Sequence, residues 1–214
     1  MSDPAERRGE VRLPAAAAVI AAIALAAVLP KSVLFGPRFV IPAIEVVLLI
    51  PLIAINPRRL TRETSWSRRV SLTLTLVIIG ANTGSLVLLL RVLTSLHPAG
   101  GRTLLVAALQ IWFTNIVAFA LTYWELDRGG PIARNVLAAS RMPDFRFPQD
   151  DDKNTEWRPV FIDYFYVSLT NSTAFSPTDA MPLTSRVKLL MSAQAIAALV
   201  TSLLVIARAV NTLQ

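Results

Sequence analysis

Trp157-Arg158-Pro159-Val160-Phe161-Ile162-Asp163-Tyr164-Phe165-Tyr166-Val167-Ser168-Leu169-Thr170-Asn171-Ser172-Thr173-Ala174-Phe175-Ser176-Pro177-Thr178-Asp179 leads into an apolar run that starts at Val187. Pro159 suits a first helical position, where its missing N–H costs nothing. From there Phe161, Tyr164, Phe165, Ser168 and Leu169 recur at three and four, the spacing of one helix face. Asp163, Tyr166, Thr170 and Asn171 fall on another. The pattern fades near Ser172 after about four turns, too few to cross a bilayer. Ser176-Pro177-Thr178-Asp179 then reads as a cap, a proline at the first helical position and an acid at the third. A half-length helix, a hydroxyl-rich turn and one full span make the layout of a re-entrant element. Such backbone survives at membrane depth only where protein or water surrounds it.

The rest of the chain agrees with a membrane setting. Of 214 residues, 54% are hydrophobic and only 16% charged, against about a quarter charged in ordinary globular domains. Mean hydropathy is +0.54. The absence of cysteine excludes disulfides, thiolate metal sites and a cysteine nucleophile. Nearly all the basic residues are arginines, the only lysines being Lys31, Lys153 and Lys188. Together with abundant alanine, this suggests a GC-rich bacterial genome. The net charge of +7 is expected to reflect arginines gathered in cytoplasmic loops, not nucleic-acid binding, because no basic helix face or stacking platform accompanies it.

Outward from the quoted stretch, four more apolar runs precede it: Leu13–Leu29, Phe39–Asn56, Val70–Leu90 and Thr103–Trp124. Each comes near the ~20 residues that cross a bilayer core. The first imitates a secretory signal, and is expected to stay as an anchor because further spans follow it. The expected architecture is all-α: a polar arm (1–12), a four-span bundle (13–126), a polar connection (127–157), and a re-entrant half-helix with the final span (158–214). Residues 159–179 as a sixth full crossing is the alternative. Pro42 and Pro51 predict a kink in the second run.

Polar residues inside these runs are the candidate pathway or polar-core positions: Glu45, Asn82, Asn115, Asp163, Tyr166, Thr170, Asn171, Thr173, Asp179 and Gln194. An acid within a span faces the bundle interior or takes a partner, and Asn82, Asn115, Gln194 and Arg208 are the candidates for Glu45. Asp163 either caps its own helix or lines a pathway. Gly80 and Gly84 have the spacing of a helix-packing contact, within the chain or between two copies. His97 is the lone histidine, so no metal, haem or other cofactor is expected. No nucleophile–base pair, phosphate loop or dinucleotide fingerprint is present, and no enzyme activity is expected.

Arg58, Arg59, Arg62, Arg68 and Arg69 oppose the single Glu63 between runs two and three. By the positive-inside rule this loop and the N-terminus are cytoplasmic. The quoted element would then enter from the cytoplasm.

The spacing Asp163, Tyr166, Thr170, then Thr173, Phe175, Thr178-Asp179 and a closing Ala209-Val210-Asn211 resembles a family of uncharacterised five-span bacterial inner-membrane proteins, a domain-of-unknown-function group. The resemblance covers residues 157–213 and implies a multi-pass protein of the bacterial plasma membrane, in contact with lipid. The same layout is distantly similar to the pore helix of two-span potassium-channel modules, but lacks their filter glycines: no glycine follows Gly130. Residues with a Cβ resist the backbone that aims successive carbonyls at one axis. The functional expectation is a channel-like or transporter-like protein with a Ser/Thr/Asn-lined segment and an unspecified small ion or solute. The alternative is a non-transporting scaffold or interaction subunit.

Overall fold

The computed structural model describes residues 9–34, 36–62, 64–94, 100–135, 142–152, 157–173 and 179–212, with side chains as far as Ala207. Among them are seven helices: α1 (Leu13–Ala27), α2 (Val40–Ile55), α3 (Ser65–Leu93), α4 (Gly101–Leu126), α5 (Pro131–Asn135), α6 (Phe161–Thr173) and α7 (Ser185–Thr212). Two short antiparallel ribbons accompany them. β1 (Glu10–Val11) pairs with β2 (Arg59–Leu60), and β3 (Phe145–Arg146) with β4 (Met181–Pro182).

Three stretches are long and apolar enough to cross a membrane: Ser65–Leu93, Gly101–Gly129 and Ser185–Ala207. The first two apolar runs form shorter helices. α1 and α2 have 15 and 16 residues, which reach about 23 Å at 1.5 Å per residue, short of the ~30 Å core. Pro30 and Pro37 bound the break between them. Beyond α1 the apolar wall continues without α-helix, through buried Leu29 and Val33 packed on Leu86, Leu89 and Leu104.

Local chemistry sets the ends. Thr64 and Ser67 form a reciprocal capping box at the start of α3, with bonds of 3.1 and 3.0 Å. α4 stops at Asp127, after which Arg128, Gly129 and Gly130 all take positive φ. Glycine suits position 130 because its φ of 101° is one that residues with a Cβ rarely adopt, and a Cβ there would also displace the Arg68 guanidinium. The Asp163 carboxylate accepts the Val160 N–H at 2.7 Å and closes the first turn of α6. Thr184 precedes α7, but its hydroxyl donates to Asp144 at 2.5 Å and leaves the helix uncapped by that group.

α4 is the central post. It is buried without interruption from Thr114 to Glu125 and packs against α1, α3, α6 and α7. One set of ends meets at an arginine-rich pole: the starts of α1, α3, α6 and α7 and the ends of α2 and α4. β1–β2 ties the first arm to the loop after α2, Glu10 reaches Trp124 and Phe161, and Asp144 reaches Thr184 and Arg186. The expected polar arm is therefore structured from Gly9 onward, with Glu10 and Arg12 buried. The connection after α4 is likewise built in, with Asp144, Phe145 and Phe147 buried.

Candidate functional site

The sequence-derived polar residues divide into two places. Gln194, fully buried, is the hub of the first. Its amide oxygen accepts from the Tyr123 hydroxyl at 2.6 Å and the Asn171 amide at 2.9 Å. Its amide nitrogen donates to Ser168 Oγ at 2.6 Å and Ser172 Oγ at 2.8 Å. Ser168 in turn donates to the Ile116 carbonyl at 2.7 Å. One glutamine thus fastens α6 to α4 and α7, with its donor and acceptor capacity in use.

The other α6 candidates are occupied within the chain. Thr170 donates to the Tyr166 carbonyl and Thr173 to the Thr170 carbonyl. Asn171 also donates to the Met191 carbonyl at 3.0 Å. Asp163 caps its own helix. Tyr166 and Asp179 are exposed, away from the Gln194 cluster. Residues 174–178, including Phe175 and Thr178, lie outside the described residues, as does the side chain of Arg208.

The second place is the interior shared by α1 to α4, which holds a cavity towards each end. The inner one, at the arginine-rich pole, is about 80 Å³ and is lined by Arg12, Arg68, Glu125, Ser71 and the apolar Val19, Leu49, Leu74 and Leu121. The outer one, about 40 Å³, holds Glu45 with Asn82, Ser85 and Thr114, and has Arg38 in its lining. One water needs ~10–15 Å³ on this measure, so the outer cavity has room for about three.

The two cavities lie along one axis. On α1 the innermost contributors are Val19 to the inner cavity and Ala22 to the outer; on α2, Leu49 and Glu45; on α3, Thr75 and Ile78; on α4, Leu121 and Thr114. On α1 to α3 each pair is three or four residues apart, about one helical turn, and on α4 seven, about two. Buried Val19, Leu49, Leu74 and Ile78 divide them, together with Thr75, whose hydroxyl is turned back onto the Ser71 carbonyl.

Glu45 is 2% exposed, and its Oε2 has no hydrogen-bond partner among the described residues. Of its candidate partners, Asn82 shares its cavity, while Gln194 belongs to the other cluster. Asn115 is buried with its amide nitrogen unpaired among the described residues, and it does not line the Glu45 cavity. Thr170, Asn171 and Thr173 do not line that cavity either. Gly80 is exposed, with open space where its Cβ would sit, so it makes no close helix contact among the described residues. Asn82, two residues on, faces the interior instead.

Sequence reading missed the cluster at the arginine-rich pole. Buried Glu10 accepts from the Phe161 N–H at 2.6 Å, the Trp124 indole at 3.0 Å and Arg134 at 3.4 Å. Burial pushes its carboxyl above the ordinary value, while Arg134 and the two N–H donors pull it back. Asp127, also buried, accepts from the Asp144 and Phe145 N–H groups and from the Tyr164 hydroxyl at 2.5 Å. Arg68 pairs with Glu125 at 2.9 Å, and Ser71 donates to the same carboxylate. Their only advance signal was charge beside aromatic residues at span ends. Among the described residues no three His, Cys, Asp or Glu side chains group as a metal site. Compared with known proteins, the chain matches no family model, no curated protein and no solved structure.

Proposed function

We propose that this chain is a multi-pass membrane protein, transporter-like or channel-like, whose pathway runs through the interior of α1 to α4. The carrying observation is the pair of cavities on one axis, parted by a mainly apolar layer, with Glu45, whose Oε2 has no partner among the described residues, in one of them. Ionisable groups buried within spans face the bundle interior or a cavity and can mark ion and proton paths. Apolar constrictions between wet cavities act as gates.

In this reading α3, α4 and α7 cross the bacterial plasma membrane, the shorter α1 and α2 complete their crossings through the apolar stretch around Leu29 and Val33, the N-terminus lies inside, and α6 dips in and returns. Support comes from geometry at the arginine-rich pole. α6 starts there beside Glu10 and runs only 13 residues, about 20 Å. Met181 is back beside Arg146 at the same pole. The eight residues from Thr173 to Met181 reach at most about 29 Å, enough for that return. The arginines that gather at this pole favour the cytoplasmic side. α6 then acts as a buttress against α4 and not as the lining.

A second reading, a non-transporting scaffold, draws on the Gln194 cluster: the α6 hydroxyls and amide serve internal bonds. Flux assays on the protein reconstituted in liposomes separate the two. The pathway reading expects proton or small-ion flux that falls at least tenfold when Leu49→Trp fills the apolar layer. Flux indistinguishable from empty liposomes favours the scaffold.

A further inference from the structure

Resting on the pathway reading above, we propose that Glu45 is a reversible proton-binding site entered from the end opposite the arginine-rich pole. The residue combines three properties: it is 2% exposed, its Oε2 has no hydrogen-bond partner among the described residues, and it lines a cavity with room for water. A carboxylate in such a place is strongly disfavoured unless a cation or proton neutralises it.

The helices packed against it supply no charged group to this cavity. From α1 the lining residues are Ala22 and Ala26, followed by Leu29 beyond its end, and from α4 Ile111 and Thr114, none charged. α3 contributes Ile78, Ala81, Asn82 and Ser85, also uncharged. Arg38 is the only charged side chain besides Glu45 in the lining; its guanidinium keeps its charge but donates to the Ala27 and Leu29 carbonyls at 3.4 and 3.2 Å and makes no hydrogen bond to Glu45 Oε2. A multivalent metal is a poor fit, because one carboxylate stands among neutral groups where such ions take several oxygens, often carboxylates. A proton needs only the carboxyl and one acceptor.

The step is simple to balance. Water in the outer cavity delivers a proton to the Glu45 carboxylate as hydronium gives up its O–H bond, and the neutral acid forms. Release reverses this, with the proton returning to cavity water. Asn82, Ser85 and Thr114 are the polar groups available to bond either form. The apolar layer beneath keeps the proton from the inner cavity until the helices move.

Infrared difference spectroscopy of the full-length protein in lipid nanodiscs, between acid and alkaline pH, reads the site directly. The wild-type protein is expected to show a carboxylic-acid carbonyl band that is lost at alkaline pH and shifts in heavy water. The band should be absent in Glu45→Gln and retained, displaced, in Glu45→Asp. A spectrum identical in wild type and Glu45→Gln overturns the proposal. So does a Glu45 band that ignores pH, or one that responds only to sodium. Cysteine accessibility at Ala16 and Ala26 tests the pathway separately: accessible cysteines with no Glu45 band would sink the proton site and leave the pathway standing.

Discussion

Arg12 and Arg38 each close the C-terminal end of the other's helix. Arg12, at the head of α1, donates to the Leu52 carbonyl and, at 3.1 Å, to the Asn56 carbonyl at the end of α2. Arg38, at the approach to α2, donates to the Ala27 and Leu29 carbonyls at the end of α1. A helix leaves its last carbonyls unpaired and carries partial negative charge there. The exchange of arginines meets both needs and pins the two short helices antiparallel. Arg12 also lines the inner cavity and Arg38 the outer, so the same pair sets the spacing between them.

Removing either arginine should therefore loosen one end of the hairpin. Arg38→Ala and Arg12→Met are each expected to cost about 1–3 kcal/mol, Arg12→Met the more because its site is buried. Thermal unfolding in detergent, followed by the monodisperse fraction on size exclusion, measures it. Unchanged melting for both would refute the mutual cap.

Gln194→Leu should destabilise the junction of α4, α6 and α7 by roughly 3 kcal/mol. It leaves the Tyr123 hydroxyl, Asn171 amide and Ser172 hydroxyl with lost partners in a buried site, each worth ~1–3 kcal/mol. Protease sensitivity between residues 157 and 184 is expected to rise with it. A variant as stable and as resistant as wild type would show that the glutamine is dispensable.

Glu10 gives a pH signature outside the spans. Its folded carboxyl titrates above the ordinary 4.5, burial being the larger cause. The folded state then holds a proton that the unfolded chain has released, so this residue's contribution is full below about pH 4.5 and is lost as pH rises through the folded value. Melting temperature should fall with pH across that window in wild type, and Glu10→Gln should flatten the fall. Equal slopes in both proteins would remove Glu10 as the cause.

Two glycines separate packing from backbone effects. Gly80→Leu should leave the monomer's stability within about 0.5 kcal/mol, the range of substitutions without intrachain contacts; loss of a cross-linked dimer in the same variant would assign Gly80 to an interface between copies. Gly130→Ala should cost more than about 1 kcal/mol, since it forces positive φ on a Cβ and displaces Arg68 from Glu125. Circular dichroism melts of the two variants, run side by side, give the comparison.

Hydropathy made the long helices legible, because an uninterrupted apolar run has few other uses. The polar residues within those runs were legible as positions but not as partners. Gln194 and Asn82 read alike in sequence, yet one is saturated by four neighbours and the other faces a cavity. Glu10 and Arg12 read as a solvated arm, since a charged segment looks exposed until Trp124, Arg134 and the α2 carbonyls surround it. Asp144 gave no signal, as its partners Thr184 and Arg186 lie some forty residues on. Long-range pairing of this kind is invisible to local pattern.

Because the chain has no cysteine, single cysteines on α1 can probe both cavities without background. Ala16 lines the inner cavity and Ala26 the outer, ten residues or about 15 Å apart along one helix. Membrane-impermeant thiol reagents applied to either face of oriented vesicles should modify Ala16→Cys only from the arginine-rich side and Ala26→Cys only from the opposite side. Both cysteines reacting from one face, or neither reacting from any, would contradict a pathway through α1 to α4.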